Sequence, residues 1–260
     1  MLQEERLLYI LDYLKSHRAM SVPDICRHLG VSRDTARRDI VRLTEDGSAV
    51  RTHGGIALPR LNKPFASYRE RSTEQSEAKR RIGRVAAGMI RDDETVILDV
   101  ATTVKAVAER IEAKGVTVIT HSIDNVGVLM DKPHVQIYML GGYLHKEHHL
   151  LYGPSVLEKL SELRADKAII GVSAIVSDGL MYPYEEDARV KREMARRADQ
   201  VIAVADSSKL AAMSGFRLGL EWVDVLVTDK IVPGEMQEAL DRHEVEVVIC
   251  GDISEEEGEA

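Results

Sequence analysis

Between residues 32 and 53 the chain concentrates groups that suit a polyanion: Ser32, Arg33, Thr35, Arg37 and Arg38, then Arg51 and His53. Guanidinium forks match phosphates and base edges through paired hydrogen bonds, so this set suits duplex DNA. Arg33, Thr35 and Arg37 are the candidates for base edges, and the remaining groups for phosphates. A second set is spread more widely: Asp99, Thr102 and Thr103, then Gly141-Gly142, Gly171, Lys191, and Asp206 with Lys209. Hydroxyls, open backbone N–H groups, a carboxylate and ammonium groups together suit a small polyol that carries a phosphate. A third set is the run His145-Lys146-Glu147-His148-His149. Imidazoles and a carboxylate suit Zn²⁺ or Ni²⁺, but the run does not build the metalloprotease pattern, and it follows Gly-Gly in what should be a loop. No metal and no cofactor are therefore expected. One or two of these histidines should instead meet an anion or respond to pH.

The first set needs a helix to present it. Ser32 is placed to cap one, and Ala36, Ile40 and Leu43 then fall at i, i+4 and i+7 on a single face, which leaves the arginines on another. Asp46-Gly47 ends that helix, and residues 50–56 read as a short hairpin whose tip carries Arg51 and His53. Upstream, Ser21-Val22-Pro23-Asp24 starts a shorter helix that Leu29-Gly30 closes. Leu7, Leu8, Ile10, Leu11 and Leu14 mark a supporting helix before it. Short helix, glycine turn, cationic helix and hairpin make a winged helix-turn-helix, whose second helix would enter the major groove. The plain alternative is a solvated face, with Arg37 or Arg38 paired to Asp34 or Asp39.

The second set needs a sheet. Short runs rich in β-branched residues recur at 95–98, 116–120, 135–140, 167–171, 201–205, 225–227 and 245–249, mostly separated by helical segments. That alternation predicts a mostly parallel α/β sheet with helices on both faces. Such sheets bind ligands at the carboxyl ends of their strands, where 99–103, 141–142, 171–174 and 206–209 fall. Residues 58–77 hold two prolines, few aliphatics and many polar groups, as a linker would. The expected domains are 1–58 for the winged helix-turn-helix, 59–76 for the linker, 77–250 for the α/β unit and 251–260 for an acidic tail.

Thr35-Ala36-Arg37-Arg38-Asp39-Ile40, followed by Leu43, Gly47 and Arg51-Thr52-His53-Gly54-Gly55, resembles the N-terminal signature of the DeoR family of transcriptional regulators. Ala36 stands where the family usually carries Ile, and Ile40 where it usually carries Leu. The resemblance extends over the α/β unit, whose family counterpart is related in fold to ribose-5-phosphate isomerase and binds phosphorylated sugars. Its Asp-x-Gly-Thr-Thr loop corresponds to residues 99–103, its Gly-Gly to Gly141-Gly142, and its Gly-x-Ser-Ala to residues 171–174. Its Val-Lys helix corresponds to Val190-Lys191, and its Asp-x-Ser-Lys to residues 206–209. Two departures stand out. Ala101 replaces a glycine, which should stiffen or narrow the phosphate loop, and Met181-Tyr182-Pro183-Tyr184 replaces a more polar stretch.

The chain has 260 residues, enough for two domains, and its 44% hydrophobic and 30% charged content is ordinary for a globular protein. The net charge of −8 has the wrong sign for DNA binding, but it is unevenly spread. Residues 1–60 hold ten Lys/Arg against eight Asp/Glu, and the acidity lies beyond them. So small an excess binds DNA weakly from one module, which implies a homo-oligomer, dimer or tetramer, on spaced half-sites. Cys26 and Cys250 form no ligand spacing and are expected to be reduced thiols. With no long apolar run or leader, the expected location is the cytoplasm, without a membrane. The leading expectation is a DNA-binding transcriptional repressor of a sugar-metabolism operon, controlled by a phosphorylated sugar and bound to a double-stranded operator. The alternatives are a phosphosugar isomerase-like enzyme with an accessory DNA-binding module, and a metal-responsive regulator.

Overall fold

The computed structural model describes residues 3–17, 19–45, 49–52, 54–57, 68–74, 76–210 and 215–251. They fall into two compact units that divide between Pro64 and Phe65.

The first unit runs α1 (Gln3–His17), β1 (Ala19–Ser21), α2 (Val22–Leu29), α3 (Arg33–Glu45), β2 (Val50–Thr52) and β3 (Gly55–Ala57). Ser21 caps α2 by accepting from the Asp24 N–H, Pro23 sits in the first turn, and Gly30 ends the helix at φ 63°, where a side chain would be strained. Ser32 caps α3 the same way, its Oγ accepting from the Thr35 N–H at 3.2 Å. The apolar face expected of α3 is buried: Ala36, Ile40 and Leu43 pack with Ile10, Leu14, Met20, Ile25 and Ile56. The expected hairpin is β2 and β3, antiparallel with Arg51 opposite Ile56, and β1 adds a third strand on the other side of β3. Asp46-Gly47 and His53 lie outside the described residues.

The second unit begins with α4 (Tyr68–Thr73) and α5 (Ser76–Ala87). The chain continues through β4 (Thr95–Leu98), α6 (Thr102–Arg110), β5 (Val116–Thr120), α7 (Ile123–Leu129), β6 (Val135–Met139), β7 (Tyr143–His145), β8 (Leu150–Tyr152) and α8 (Pro154–Ser161). It closes with β9 (Ala165–Gly171), β10 (Ala174–Val176), β11 (Gly179–Tyr182), α9 (Glu185–Arg196), β12 (Ala198–Val204), β13 (Phe216–Leu218), β14 (Val225–Thr228), α10 (Gly234–Arg242) and β15 (Glu246–Ile249). The seven apolar runs are the seven strands of one parallel sheet in the order β15-β14-β12-β9-β4-β5-β6. Alternate residues serve opposite faces. Val96, Leu98 and Ile202 pack with α5, α6 and α7 on one side, while Ile97, Ile170 and Ala203 pack with α8, α9 and α10 on the other. Both faces are covered, so the strands read as continuous apolar runs.

From β4 the chain winds one way through β5 and β6, and from β9 it winds the other way through β12, β14 and β15. The reversal lies between β4 and β9, where an open α/β sheet leaves a crevice beyond the strand ends. The β7–β8 hairpin and a small antiparallel sheet, β10-β11-β13, were not expected from the sequence. Residues 68–73, read from sequence as linker, instead form α4 in the second unit, because Tyr68 is buried there against the His149 ring. No helix among the described residues is long and apolar enough to cross a membrane.

Candidate functional site

On α3 the residues off the packed face form two exposed rows, Arg33-Arg37-Val41 and Asp34-Arg38-Arg42. Rows spaced i, i+4, i+8 lie along one side of a helix, so four guanidiniums share a face. The pairing alternative fails for Asp39. Its carboxylate is fully buried and is held in a fork by Arg6 of α1, at 2.7 Å from Nε and 3.0 Å from Nη2. Arg38 Nε reaches only the Asp34 carbonyl, at 3.4 Å, and Arg37 has no carboxylate partner among the described residues. Ser32 is occupied as the helix cap and shares a 3.0 Å hydrogen bond with the half-buried Thr35 hydroxyl. Arg51 is exposed on β2, and His53 lies outside the described residues.

At the sheet reversal, Asp99 follows β4 and is fully buried. Its Oδ2 accepts from the Gly171 N–H at 2.8 Å, which ties the end of β4 to the end of β9. Lys191 of α9, only 3% exposed, places its ammonium 3.1 Å from Asp99 Oδ1 and against Asp187. The same ammonium lies 4.8 Å from the centre of the Tyr182 ring, whose hydroxyl donates to the Gly171 carbonyl at 3.2 Å. Burial alone would push the Lys191 pKa down, but the Asp187 and Asp99 carboxylates outweigh it and raise it. Asp187 moves the other way for an acid: burial pushes it up despite the lysine beside it.

Above this network lies a cleft lined by Thr102, Thr103, Ser173, Asp187, Lys191 and Lys209 from the predicted strand ends and α9, together with Arg71, Lys79, His148 and Tyr184. Ala101 takes the capping position of α6 at φ −151°, ψ 152° and supplies no side-chain cap, so the first-turn N–H groups of α6 are left for a ligand. That backbone is ordinary extended chain, so alanine stands there without strain. Its methyl group takes up space on the β9 side instead: a Cβ added to Gly171 would lie 2.2 Å from it. The narrowing expected from Ala101 is met by a glycine opposite.

Of the predicted anion-site residues, the structure brings together Thr102, Thr103, Gly171, Lys191 and Lys209 on the cleft, with Asp99 beneath it. Gly141-Gly142 stands apart, in the turn that leads into β7. Asp206 is buried and caps the turn at Ser207–Lys209 by accepting from the Ser208 N–H at 3.0 Å. The sequence reading missed Arg71, Lys79, Tyr184 and Asp187. Asp187 had a signal, since it lies four residues before Lys191 on one helix; Arg71 and Lys79 had none beyond their charge. Burial lowers the Arg71 pKa and the Lys79 pKa, while Asp187 and Asp99 support the charge of the first and Asp206 that of the second. A cleft with this many cations and free amides, and with Asp99 and Asp187 committed to Lys191, suits an anion. The histidine run is the β7–β8 turn. His145 stacks on His148 at 4.6 Å, while His149 turns away to Asp124 at 2.7 Å.

Comparison with known proteins fits this geometry. The family model described as the DeoR-like helix-turn-helix domain matches residues 6–60, and that of the DeoR C-terminal sensor domain matches residues 74–230. The chain is 48% identical over 250 residues to the HTH-type transcriptional repressor GlcR of Bacillus subtilis (strain 168), covering 96% of this chain and 97% of that protein. It is 30% identical over 255 residues to the glycerol-3-phosphate regulon repressor of Escherichia coli (strain K12), covering 96% and 100%. Among solved structures, ribose 5-phosphate isomerase A of Methanocaldococcus jannaschii is similar at 14% identity and a TM-score of 0.39, over 53% of this chain and 56% of its own. With both units matched in order and nearly the whole length aligned, this chain belongs to the DeoR family of transcriptional regulators.

Proposed function

We propose that the chain is a cytoplasmic transcriptional repressor that binds a duplex operator as a homo-oligomer and is released by a phosphorylated sugar held in the cleft between β4 and β9. The observation that carries this reading is the cleft itself: Lys209, Lys79 and Arg71 converge with the uncapped first turn of α6, where a phosphate would be bound, and Asp187 and His148 flank it, where hydroxyls would be read. The relatives support it, since one is named a repressor and another a repressor of a glycerol-3-phosphate regulon. Release requires that the sugar phosphate favour an oligomer geometry in which paired α3 helices no longer match the half-site spacing. The isomerase reading has less support, because Asp99 is closed off by Gly171 and Lys191, and Glu185 is exposed beside Arg189.

Two substitutions test the two halves separately. Arg37→Ala should weaken operator binding by about 1–3 kcal/mol, roughly 5- to 150-fold, if its guanidinium reads a base edge. The sugar-phosphate shift in melting temperature should not change; operator affinity equal to wild type in a fluorescence anisotropy titration would remove Arg37 from the interface. Lys209→Ala should leave operator binding intact and weaken the sugar phosphate by about 2 kcal/mol, the worth of a charge-assisted contact. The check is a thermal-shift panel of phosphorylated sugars and their parent sugars, because a ligand of the folded state raises its stability with ln(1 + [L]/Kd). A wild-type response from the variant would place the phosphate elsewhere.

A further inference from the structure

Two cations of the cleft come from outside the strand ends. Arg71 belongs to α4 and Lys79 to α5, the elements with which the chain enters the second unit after leaving the DNA-binding unit. A six-residue helix cannot hold itself together in water, so α4 depends on what it touches. Contacts from outside the helix hold it, and one within it braces the anchoring ring. The buried Tyr68 ring stacks on His149 at 5.0 Å, and the Tyr68 N–H donates to the Glu147 carbonyl at 3.3 Å. The Arg71 guanidinium lies 5.4 Å from the centre of the Tyr68 ring, and the Lys79 ammonium donates to the carbonyls of Arg71 and Glu74 at the end of the helix. The first two partners, Glu147 and His149, flank His148, which itself lines the cleft.

We propose that Arg71 is an effector-binding residue, and that α4 is the strap through which occupancy of the cleft reaches the DNA-binding unit. This rests on the cleft being the phosphosugar site. Arg71 lines the cleft, so an anion held there adds a charge-assisted contact to its guanidinium, and that contact is shared with the helix that carries it. Lys79 acts on the same helix from its carboxyl end, so an anion that engages both cations fixes α4 at two points. α4 is the first described element of the second unit, next along the chain from the DNA-binding unit, and a ligand that binds only the ordered strap shifts the strap's equilibrium at that entry point. The family sensor model begins at residue 74, so the strap lies outside the stretch it matches.

The test uses the full chain, with sn-glycerol 3-phosphate, glucose 6-phosphate, fructose 6-phosphate and inorganic phosphate as probes. Amide hydrogen exchange and calorimetric titration are the readouts. For a probe that binds, exchange should slow at least tenfold both at residues 99–105 and at residues 69–74. Arg71→Gln should bind that probe at least tenfold more weakly, and Arg71→Lys should recover part of the loss. Tyr68→Leu, which removes the ring that anchors the strap, should lose the protection at 69–74 and also weaken binding of that probe, by no more than Arg71→Gln does, because a loosened strap no longer holds Arg71 at the cleft. Protection at 99–105 alone, with Arg71→Gln binding as wild type, would overturn the strap and leave the cleft reading standing. Protection at neither place with any probe would overturn both.

Discussion

Replacing Lys191 with methionine is expected to destabilise the second unit by about 3–5 kcal/mol at neutral pH, the usual cost of removing one partner from a buried ion pair. Methionine keeps most of the aliphatic stem and deletes the charge, so the loss is not one of packing. What remains is the buried Asp99 beside the partly exposed Asp187 with no cation between them, and one carboxylate must then take up a proton. Domains of this size are stable by only about 5–15 kcal/mol, so the change consumes a large part of the margin. In urea, with a slope of about 2 kcal/mol per molar, the unfolding midpoint should fall by roughly 2 M. The pH dependence gives a second signature. Without Lys191 the folded-state pKa of Asp187 rises further above its unfolded value, so the folded form favours the protonated acid, and stability is present at low pH and lost as pH rises. The deficit of the variant should therefore shrink on acidification. An unchanged midpoint at pH 7 would mean that the carboxylates do not depend on this lysine. The sugar-phosphate response should vanish as well, since Asp99 holds the end of β4 to β9 only while its charge is balanced.

This network also shows where reading from sequence stops. The five inner parallel strands were legible because each is largely buried on both faces and so reads as a nearly unbroken apolar run, whatever it packs against, while the edge strands β6 and β15 are partly exposed and were marked by their β-branched residues alone. The caps at Ser21 and Ser32 were legible because a cap is a local bond, closed within three residues. The sequence offered Lys191 only as an anion-site candidate: Arg189, Arg192 and Arg196 on the same helix suit a solvated face, and nothing nearby shows that Asp99, more than ninety positions earlier, draws one lysine inward. Asp39 misled for the same reason, its partner being Arg6 on another helix rather than the arginines beside it. The segment at 68–73 looked like linker because it has a single buried side chain, Tyr68, and that ring finds its partner at His149 through the fold alone. The strands of β10-β11-β13 are three or four residues long, too short for a period of two to register.

Acidification should act on the second unit through His121, and the expected loss is about 3 kcal/mol between pH 6.5 and pH 4. This imidazole follows β5 and is buried, and its Nδ1 has no hydrogen-bond partner among the described residues. Burial pushes its pKa from 6.5 down to about 4; the Asp99 carboxylate pulls upward and the Lys191 ammonium pushes further down. A folded-state pKa below the unfolded value means that the neutral form is the one the fold accepts. The contribution is therefore complete above pH 6.5 and is lost as pH falls toward 4, because the unfolded chain takes up the proton first. Asp187 works with the opposite sign, since its raised pKa makes protonation at acid pH favour the folded form, so the wild-type slope alone understates His121. The difference between wild type and His121→Gln isolates it, because glutamine does not titrate and Asp187 is common to both. Stability measured by urea unfolding at steps from pH 7 to pH 4 should show the difference between the two curves moving by about 3 kcal/mol in favour of the glutamine variant as pH falls, whatever constant offset glutamine introduces. Parallel curves would mean that His121 is protonated in the fold at no cost, and that the Asp99 carboxylate, rather than burial, governs its charge.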